Sequence, residues 1–518
     1  MAANVDVPLH IPDNLHDVNN TTQFTPLATP KKLPFEPASH DTGPIDYTVF
    51  KNVINGELTT TKTTRHHINP STLKPNPEFP VSTAEDLEKA IDAAHAAAPA
   101  WGDVSWDDRR KAIEAYADAI EANVDPLADL LVRELGLPLA FSLHEVNWGV
   151  EWLRDFCKLK LPENVIESGW NRHVVERYVP IGVTAGIVPW NGPAILASGK
   201  IAPALLTGNA LILKPSPFAP YTIMKMVEIG QRFFPRGILQ VLSGNDDLGP
   251  MLTSSPRIGK VSFTGSCETG QKVVNSCGSA GLKRMTLELG GNDPAIVLED
   301  ADPEVVGAKI AFTALLRSGQ LCMAVKRLYI HESIYDAVLK EVVKYVENAK
   351  FGDGFEEGVI VGPIANRPQY ERVKELLADI EKSKLKVIPE NGTSTEGLGG
   401  YFIRPIVIDN PPEDSRVVVE EPFGPILPVM KWSDEEDVIR RANDTPYGLG
   451  ASVWTKDLDR GNRIARRLEA GNVWVNGHAI LQASTAFACH KESGFGSELG
   501  VHGLAGWCNI QSVYVLPQ

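Results

Sequence analysis

Of the six cysteines in the chain, Cys157, Cys267, Cys277, Cys322, Cys489 and Cys508, Cys322 has the setting in which a thiol does chemistry. It lies in Gly319-Gln-Leu-Cys-Met, just before the strand-like Lys326–Ile330, a loop position from which a thiolate can act as a nucleophile. The plain alternative, a buried packing cysteine, suits Cys157, Cys277 and Cys508. Glu288 sits between Met285-Thr-Leu287 and Leu289-Gly-Gly, where partial desolvation would move a carboxyl toward the neutral pKa of a general base. A solvated surface carboxylate is the alternative reading. No cysteines form a C-x-x-C pair, so neither a disulfide scaffold nor a thiolate zinc site is indicated, and no metal is expected.

Two glycine patterns imitate nucleotide motifs. In Gly265-Ser-Cys-Glu-Thr-Gly270-Gln271-Lys272-Val273, Gln271 takes the place a P-loop reserves for Lys, and no hydroxyl follows to hold Mg²⁺. Gly494-Phe-Gly496-Ser-Glu-Leu-Gly500 has the wrong last spacing for a dinucleotide fingerprint and follows the charged His490-Lys-Glu, so it reads as a turn. What remains is a Gly-rich passage from the strand-like Lys260–Phe263 into a helical segment. Such a turn offers backbone N–H groups and a positive helix end to a pyrophosphate.

The elements that must position these residues follow from length and periodicity. A chain of 518 residues exceeds the ~250–300 at which single cores stop growing. Its 43% hydrophobic and 22% charged residues are those of a globular protein, and a net charge of −15 disfavours nucleic acid and anionic membrane surfaces as partners. No apolar run reaches the ~18 residues of a membrane span. Residues 1–45 read as an extended arm. The stretch from Ser82 to Leu135 has helical, Ala-rich spacing.

Short apolar runs at Val183–Val188, Ala210–Leu213, Ile238–Leu242 and Lys260–Phe263 then alternate with helices, as β-α-β crossovers require. A second series runs through Ala295–Leu298, Arg327–Ile330, Ile406–Ile408, Ile426–Val429, Ala451–Trp454 and Asn472–Val475. The expected fold is α/β with two doubly wound parallel-sheet domains. His173–Val179 and Gln511–Leu516 alternate at period two outside both series, as strands pairing across a subunit interface or a plain surface hairpin would.

Six motifs run in order along the chain: Pro189-Trp-Asn191, Lys214-Pro-Ser216, Phe263-Thr-Gly-Ser266, Glu288-Leu-Gly-Gly291, Gly319-Gln-Leu-Cys322 and Glu421-Pro-Phe423-Gly-Pro425. With Ile54-Asn-Gly-Glu57, Asn69-Pro-Ser-Thr72 and Ser493-Gly-Phe-Gly496, the chain from about Phe50 onward resembles the aldehyde dehydrogenase superfamily, and the spacing of Glu288 and Cys322 matches its hydrolytic, non-acylating branch. The resemblance implies oxidation of an aldehyde to its carboxylate with NAD or NADP. A planar aldehyde is a poor hydride donor, whereas a tetrahedral cysteine adduct expels hydride readily. Cys322 is then the nucleophile, Asn191 an oxyanion donor beside the Cys322 backbone N–H, Glu288 the base that activates the hydrolytic water, and Lys200 a proton-relay lysine. A CoA-acylating semialdehyde dehydrogenase is the nearest enzymatic alternative, and a non-catalytic protein retaining the fold is the other. Glu288 argues against the first, and Cys322, Glu288 and Asn191 together against the second.

By the same resemblance, Lys214 binds the adenosine ribose, Ser266 with Gly265 and Gly270 the pyrophosphate, and Glu421 with Phe423 the nicotinamide ribose and ring. Trp190 and Leu289 complete the cofactor set. Pro217 replaces the glutamate that NAD-preferring relatives carry three positions after the ribose lysine, and Phe487-Ala-Cys489 replaces a common Phe-Gly-Gly. Gly192 and Gly199 stand where relatives for small aliphatic aldehydes place aromatics, which predicts a widened tunnel for a bulky or aromatic aldehyde, with Leu481 and Phe487 as remaining apolar lining.

The implied layout assigns 46–160 and 181–289 to a dinucleotide-binding domain and 290–490 to a catalytic domain. Residues 161–180 and 491–518 form a bridging β element that makes a homodimer or homotetramer. Sparse cysteines, no Lys or Arg in the first thirty residues, and a Leu516-Pro-Gln end unlike a peroxisomal signal make the cytoplasm the expected compartment.

Overall fold

The computed structural model describes residues 43–169, 172–390 and 399–516. All but the last three residues of the expected N-terminal arm lie outside them. The helical region resolves into Ala84–Asp103, Trp106–Glu121 and Val124–Leu135, followed by Leu139–Cys157. Their starts obey local chemistry: Thr83 and Asp86 close a reciprocal capping box, and the Ser105 hydroxyl accepts the Asp108 N–H. Helix Leu139–Cys157 brings Glu145, Trp148, Gly149 and Trp152 to one face, which packs on helix Pro193–Leu206. At Gly149 a Cβ would meet Ser198 Oγ at 2.9 Å, so glycine is what allows this close approach.

The first sheet has a parallel core in the order Leu239–Val241, Ala210–Pro215, Val183–Val188, Lys260–Thr264, Arg284–Glu288. In chain order this is 3-2-1-4-5, a doubly wound arrangement whose direction reverses at Val183–Val188. Antiparallel strands Asn52–Ile54 with Glu57–Thr59 extend one edge, and Gly494–Phe495 closes the other. The second sheet orders parallel strands Ile406–Asp409, Ile426–Trp432, Val325–His331, Asp293–Val297, Gly450–Trp454 and Asn472–Val475, with antiparallel Val387–Ile388 outside. The expected α/β fold with two parallel sheets is what is found, and among the described residues no helix is long and apolar enough to cross a membrane.

Two elements depart from the expectations. Strand Arg284–Glu288 carries Glu288, but its charged, partly exposed start hides it from an apolar-run search. The Gly494–Gly500 stretch, expected to be only a turn, makes two short strands: Gly494–Phe495 pairs with Leu287 and Glu288, and Ser497–Glu498 pairs with Phe487 and Ala488. Positive φ at Gly494, Gly496 and Gly500 supplies the bends.

A smaller compact unit contains 162–178 and 510–516. In its three-stranded sheet His173–Pro180 lies between Asn164–Ser168 and Cys508–Val515, so the two orphan strands of the sequence pair with each other.

Candidate active site

Cys322 follows a strained turn. Arg317, Ser318 and Gly319 all have left-handed φ, and a side chain at Gly319 would begin 2.1 Å from the Gly424 carbonyl oxygen. The strain is held by Arg317, whose guanidinium pairs with buried Glu145 and donates to the Asn191 carbonyl at 2.9 Å. Glu145 also accepts the Ala194 N–H at 2.9 Å, tying this turn to helix Pro193–Leu206.

The Cys322 Sγ lies 3.5 Å from Glu288 Oε1. Strand pairing sets Thr264 beside Glu288, and the Thr264 hydroxyl donates to Glu288 Oε2 at 3.3 Å. Burial is the main cause that lifts the Glu288 carboxyl to about 7, with the Glu498 charge adding to the rise and the Lys200 ammonium opposing it. Burial, and then the Glu288 charge, push the Cys322 thiol well above its ordinary value. Burial thus keeps the proton on the Cys322 thiol beside the Glu288 carboxyl at rest.

Lys200 is fully buried and donates to Ser262 Oγ at 2.8 Å, Thr264 Oγ1 at 3.0 Å and Glu498 Oε1 at 2.6 Å. Glu498 was not foreseen. Its signal lay two residues beyond Ser493-Gly-Phe-Gly496, but only the edge strands fold it back against Lys200. Asn191 donates its side-chain N–H to the Gln320 carbonyl at 3.1 Å, which places its amide beside the cysteine loop.

One apolar pocket unites these groups. Asn191, Gly192, Glu288, Cys322, Leu481 and Phe487 line it as expected, together with Trp148, Trp152, Leu196 and Leu499. Arg317 in its wall is neutralised by Glu145, and Lys200, which contacts the wall residue Glu498, is neutralised by that carboxylate. Gly199 corrects the expectation of a tunnel widened at two points. It is buried inside helix Pro193–Leu206, and the Trp152 indole fills the space beside it, 3.0 Å from where a Cβ would stand. The space beside Gly199 is taken by an aromatic from a neighbouring helix, so of the two glycines only Gly192 lines the pocket.

Of the cofactor candidates, Trp190, Lys214, Gly265, Ser266 and Leu289 lie at or just after the C-terminal ends of the first sheet's strands, where doubly wound folds bind dinucleotides, whereas Glu421 and Phe423 precede strand Ile426–Trp432 of the second sheet. Lys214 is the penultimate residue of strand Ala210–Pro215, and among the described residues its buried ammonium makes a long 3.4 Å hydrogen bond to the Pro215 carbonyl, leaving donor capacity for a ligand hydroxyl. Burial lowers its pKa to about 8, with Asp246 and Asp247 opposing the fall. Ser266 caps helix Cys267–Ser279 by accepting the Thr269 N–H at 3.3 Å, so its hydroxyl is already engaged while the helix N-terminus stays exposed beside Gly265. Gly270 lets Leu289 pack closely, since a Cβ there would meet Leu289 Cδ2 at 2.6 Å. Trp190 and Phe423 meet edge to face at 5.4 Å, and Glu421 accepts the Gly291 N–H at 3.3 Å. These residues fit a dinucleotide.

A family model described as the aldehyde dehydrogenase family matches residues 58–513. An aldehyde dehydrogenase from a Fusarium species is 37% identical over 91% of this chain and 100% of its own length. A phenylacetaldehyde dehydrogenase from Pseudomonas fluorescens is 35% identical over 86% of this chain and 91% of its own. Among solved structures, an NAD+ complex of an aldehyde dehydrogenase from Bacillus cereus superposes with a TM-score of 0.88 at 32% identity, covering 90% of this chain and 97% of that one.

Proposed function

Because this chain belongs to the aldehyde dehydrogenase family, we propose that it oxidises an uncharged, bulky or aromatic aldehyde to its carboxylate, with NAD or NADP and water as co-reactants. The reading is carried by the 3.5 Å contact between Cys322 and Glu288 at the wall of an apolar pocket. The Cys322 thiolate adds to the carbonyl carbon, a C–S bond forms, and the carbonyl π pair moves to oxygen. Glu288 is within reach to accept the thiol proton, while the Thr264 hydroxyl, itself accepting from the Lys200 ammonium, donates to the other carboxylate oxygen and holds Glu288 in place. The amide of Asn191, beside the cysteine loop, is the donor for the oxyanion.

Lys214, Ser266, Glu421, Phe423 and Trp190 would hold the nicotinamide cofactor, which supplies the hydride acceptor when bound. Cys322 keeps the acyl group as a thioester until a water deprotonated by Glu288 displaces it, breaking the C–S bond and restoring the thiol. The first parallel sheet is the cofactor layer and the second the catalytic layer.

Substrate class follows from the pocket. Trp148, Trp152, Leu196, Leu481, Phe487 and Leu499 offer apolar surface, and the nearby cations Arg317, Lys200 and Lys326 are already paired, so a substrate carboxylate would enter uncompensated. Nicotinamide absorbance with a panel of aldehydes tests this reading: aromatic and bulky uncharged aldehydes are expected to exceed acetaldehyde and dicarboxylic semialdehydes in kcat/KM. A semialdehyde or acetaldehyde ranking first would overturn it.

A further inference from the structure

Four residues after the nucleophile, on the strand that leaves its loop, stands a lysine that the reaction scheme does not use. Lys326 is 3% exposed. Its ammonium pairs with Glu421 Oε1 at 3.0 Å, donates a short hydrogen bond to the backbone carbonyl of Cys322, and lies 5.9 Å from the centre of the Phe423 ring. One buried cation therefore touches the backbone of the nucleophile and the carboxylate assigned to the nicotinamide ribose. A buried ammonium persists only with such partners, since an unpaired one would shed its proton.

We infer that Lys326 is a positioning residue that locks the Cys322 loop and the Glu421 carboxylate in register. The assignment of Glu421 to the cofactor rests on the function proposed above. The contact with the Cys322 carbonyl does not.

Two consequences follow from charge and geometry. The groups facing the Cys322 thiol are Glu288, Glu421 and Asp293, all acidic, and Lys326, the one cation among them. Lys326 also faces buried Asp293 and His478. Lys326 thus opposes three carboxylates that would otherwise hold the proton on sulfur. Further, the carboxylate oxygen that Lys326 holds belongs to a side chain whose other anchor is the Gly291 N–H, so Glu421 is oriented before any ribose arrives. Removing the lysine should both suppress the thiolate and loosen cofactor capture, without deleting a group that touches the substrate.

The test uses the full-length protein. Alkylation of Cys322 by iodoacetamide, without cofactor and located by peptide mass, reports the thiolate directly. Lys326→Met should slow alkylation at pH 8 by about tenfold, the equivalent of one pKa unit, and Lys326→Arg should restore most of the rate. Glu421→Gln, which removes one acidic neighbour, should speed it. In parallel, titration with NAD+ should show binding weakened several-fold in Lys326→Met, so that the cofactor KM rises more than kcat falls. Equal alkylation rates in wild type, Lys326→Met and Lys326→Gln, with unchanged melting temperatures, would overturn the proposal. If Lys326→Met does not fold, Lys326→Gln and the opposite-sign effect of Glu421→Gln decide the matter. Unchanged NAD+ binding in Glu421→Gln would remove Glu421 from the cofactor site while leaving the alkylation result to judge Lys326.

Discussion

The edge of the Trp152 indole stands 3.0 Å from the point where a side chain at Gly199 would begin, so the two residues are matched in size across packed helices. Gly199→Ala should overpack this contact and cost about 1–3 kcal/mol, seen as a lower melting temperature. Trp152→Phe should recover part of that loss in the double variant, because neighbouring sites couple. Trp152→Ala alone should enlarge the pocket and favour longer aldehydes in kcat/KM. A Gly199→Ala protein that melts with wild type would show the packing to be slack.

Stability should depend on pH through Glu288. Its folded pKa, raised to about 7 by burial, lies above its ordinary value of 4.5, so the protonated form is favoured in the fold. The corresponding stability is complete below about pH 4.5 and is lost as pH rises through 7. Glu288→Gln should therefore be more stable than wild type at pH 8, by on the order of 1–3 kcal/mol, with the difference closing by pH 4.5. Calorimetry at the two pH values checks it, and an advantage greater at the lower pH would contradict the sign.

The half-reactions should separate by mutation. Cys322→Ala should abolish hydride transfer, for without the thiolate adduct no oxyanion forms to expel hydride. Glu288→Gln should still release a burst of about one equivalent of reduced cofactor per site and then turn over roughly 10²–10⁴-fold more slowly. Rapid mixing with quenched intact-mass detection of the acyl adduct distinguishes these outcomes. Full activity of Glu288→Gln would reopen thioester resolution by CoA.

Cofactor choice should be relaxed. Pro217 places no carboxylate three positions after Lys214, the residue proposed to hold the ribose, although Asp246 and Asp247 lie near enough to act on that ammonium. Both NAD and NADP should support turnover, and Pro217→Glu should sharpen the preference for NAD. A wild-type ratio of kcat/KM beyond a thousandfold, ~4 kcal/mol, would assign the discrimination to other groups.

The small three-stranded sheet leaves Val165, Ile166, Ile510 and Tyr514 each at least 60% exposed. A second copy covering such strands would make a homodimer or a pair of dimers. Light scattering at micromolar concentration should give a multiple of 56.4 kDa, and a monomer alone would refute the assignment.

Much was legible in the chain itself. Both strand series were readable because a buried parallel strand is a short apolar run between turn signals, a purely local property. Glu288 and Cys322 stood out as candidates chiefly through the ordered motifs that resemble the family, with the apolar neighbours of the one and the loop setting of the other in support. The strand that carries Glu288 was missed because it opens on the exposed, charged Arg284 and only half-buried Met285. The partnership of Lys200 with Glu498, 298 positions away, needed the edge strands that bend at positive-φ glycines. No periodicity reports that contact.

Gly199 shows the same limit from the other side. Its identity was read correctly and its consequence was not, because an empty place in sequence is filled in space by whichever side chain a neighbouring helix presents. The ordered motifs, through the family they resemble, thus pointed to the family and to Cys322 and Glu288 as candidate central groups. Pocket shape, the Lys200–Thr264–Glu288 contacts and the Lys326 contacts were decided by tertiary packing, since each depends on distances between segments whose separation along the chain carries no geometric information.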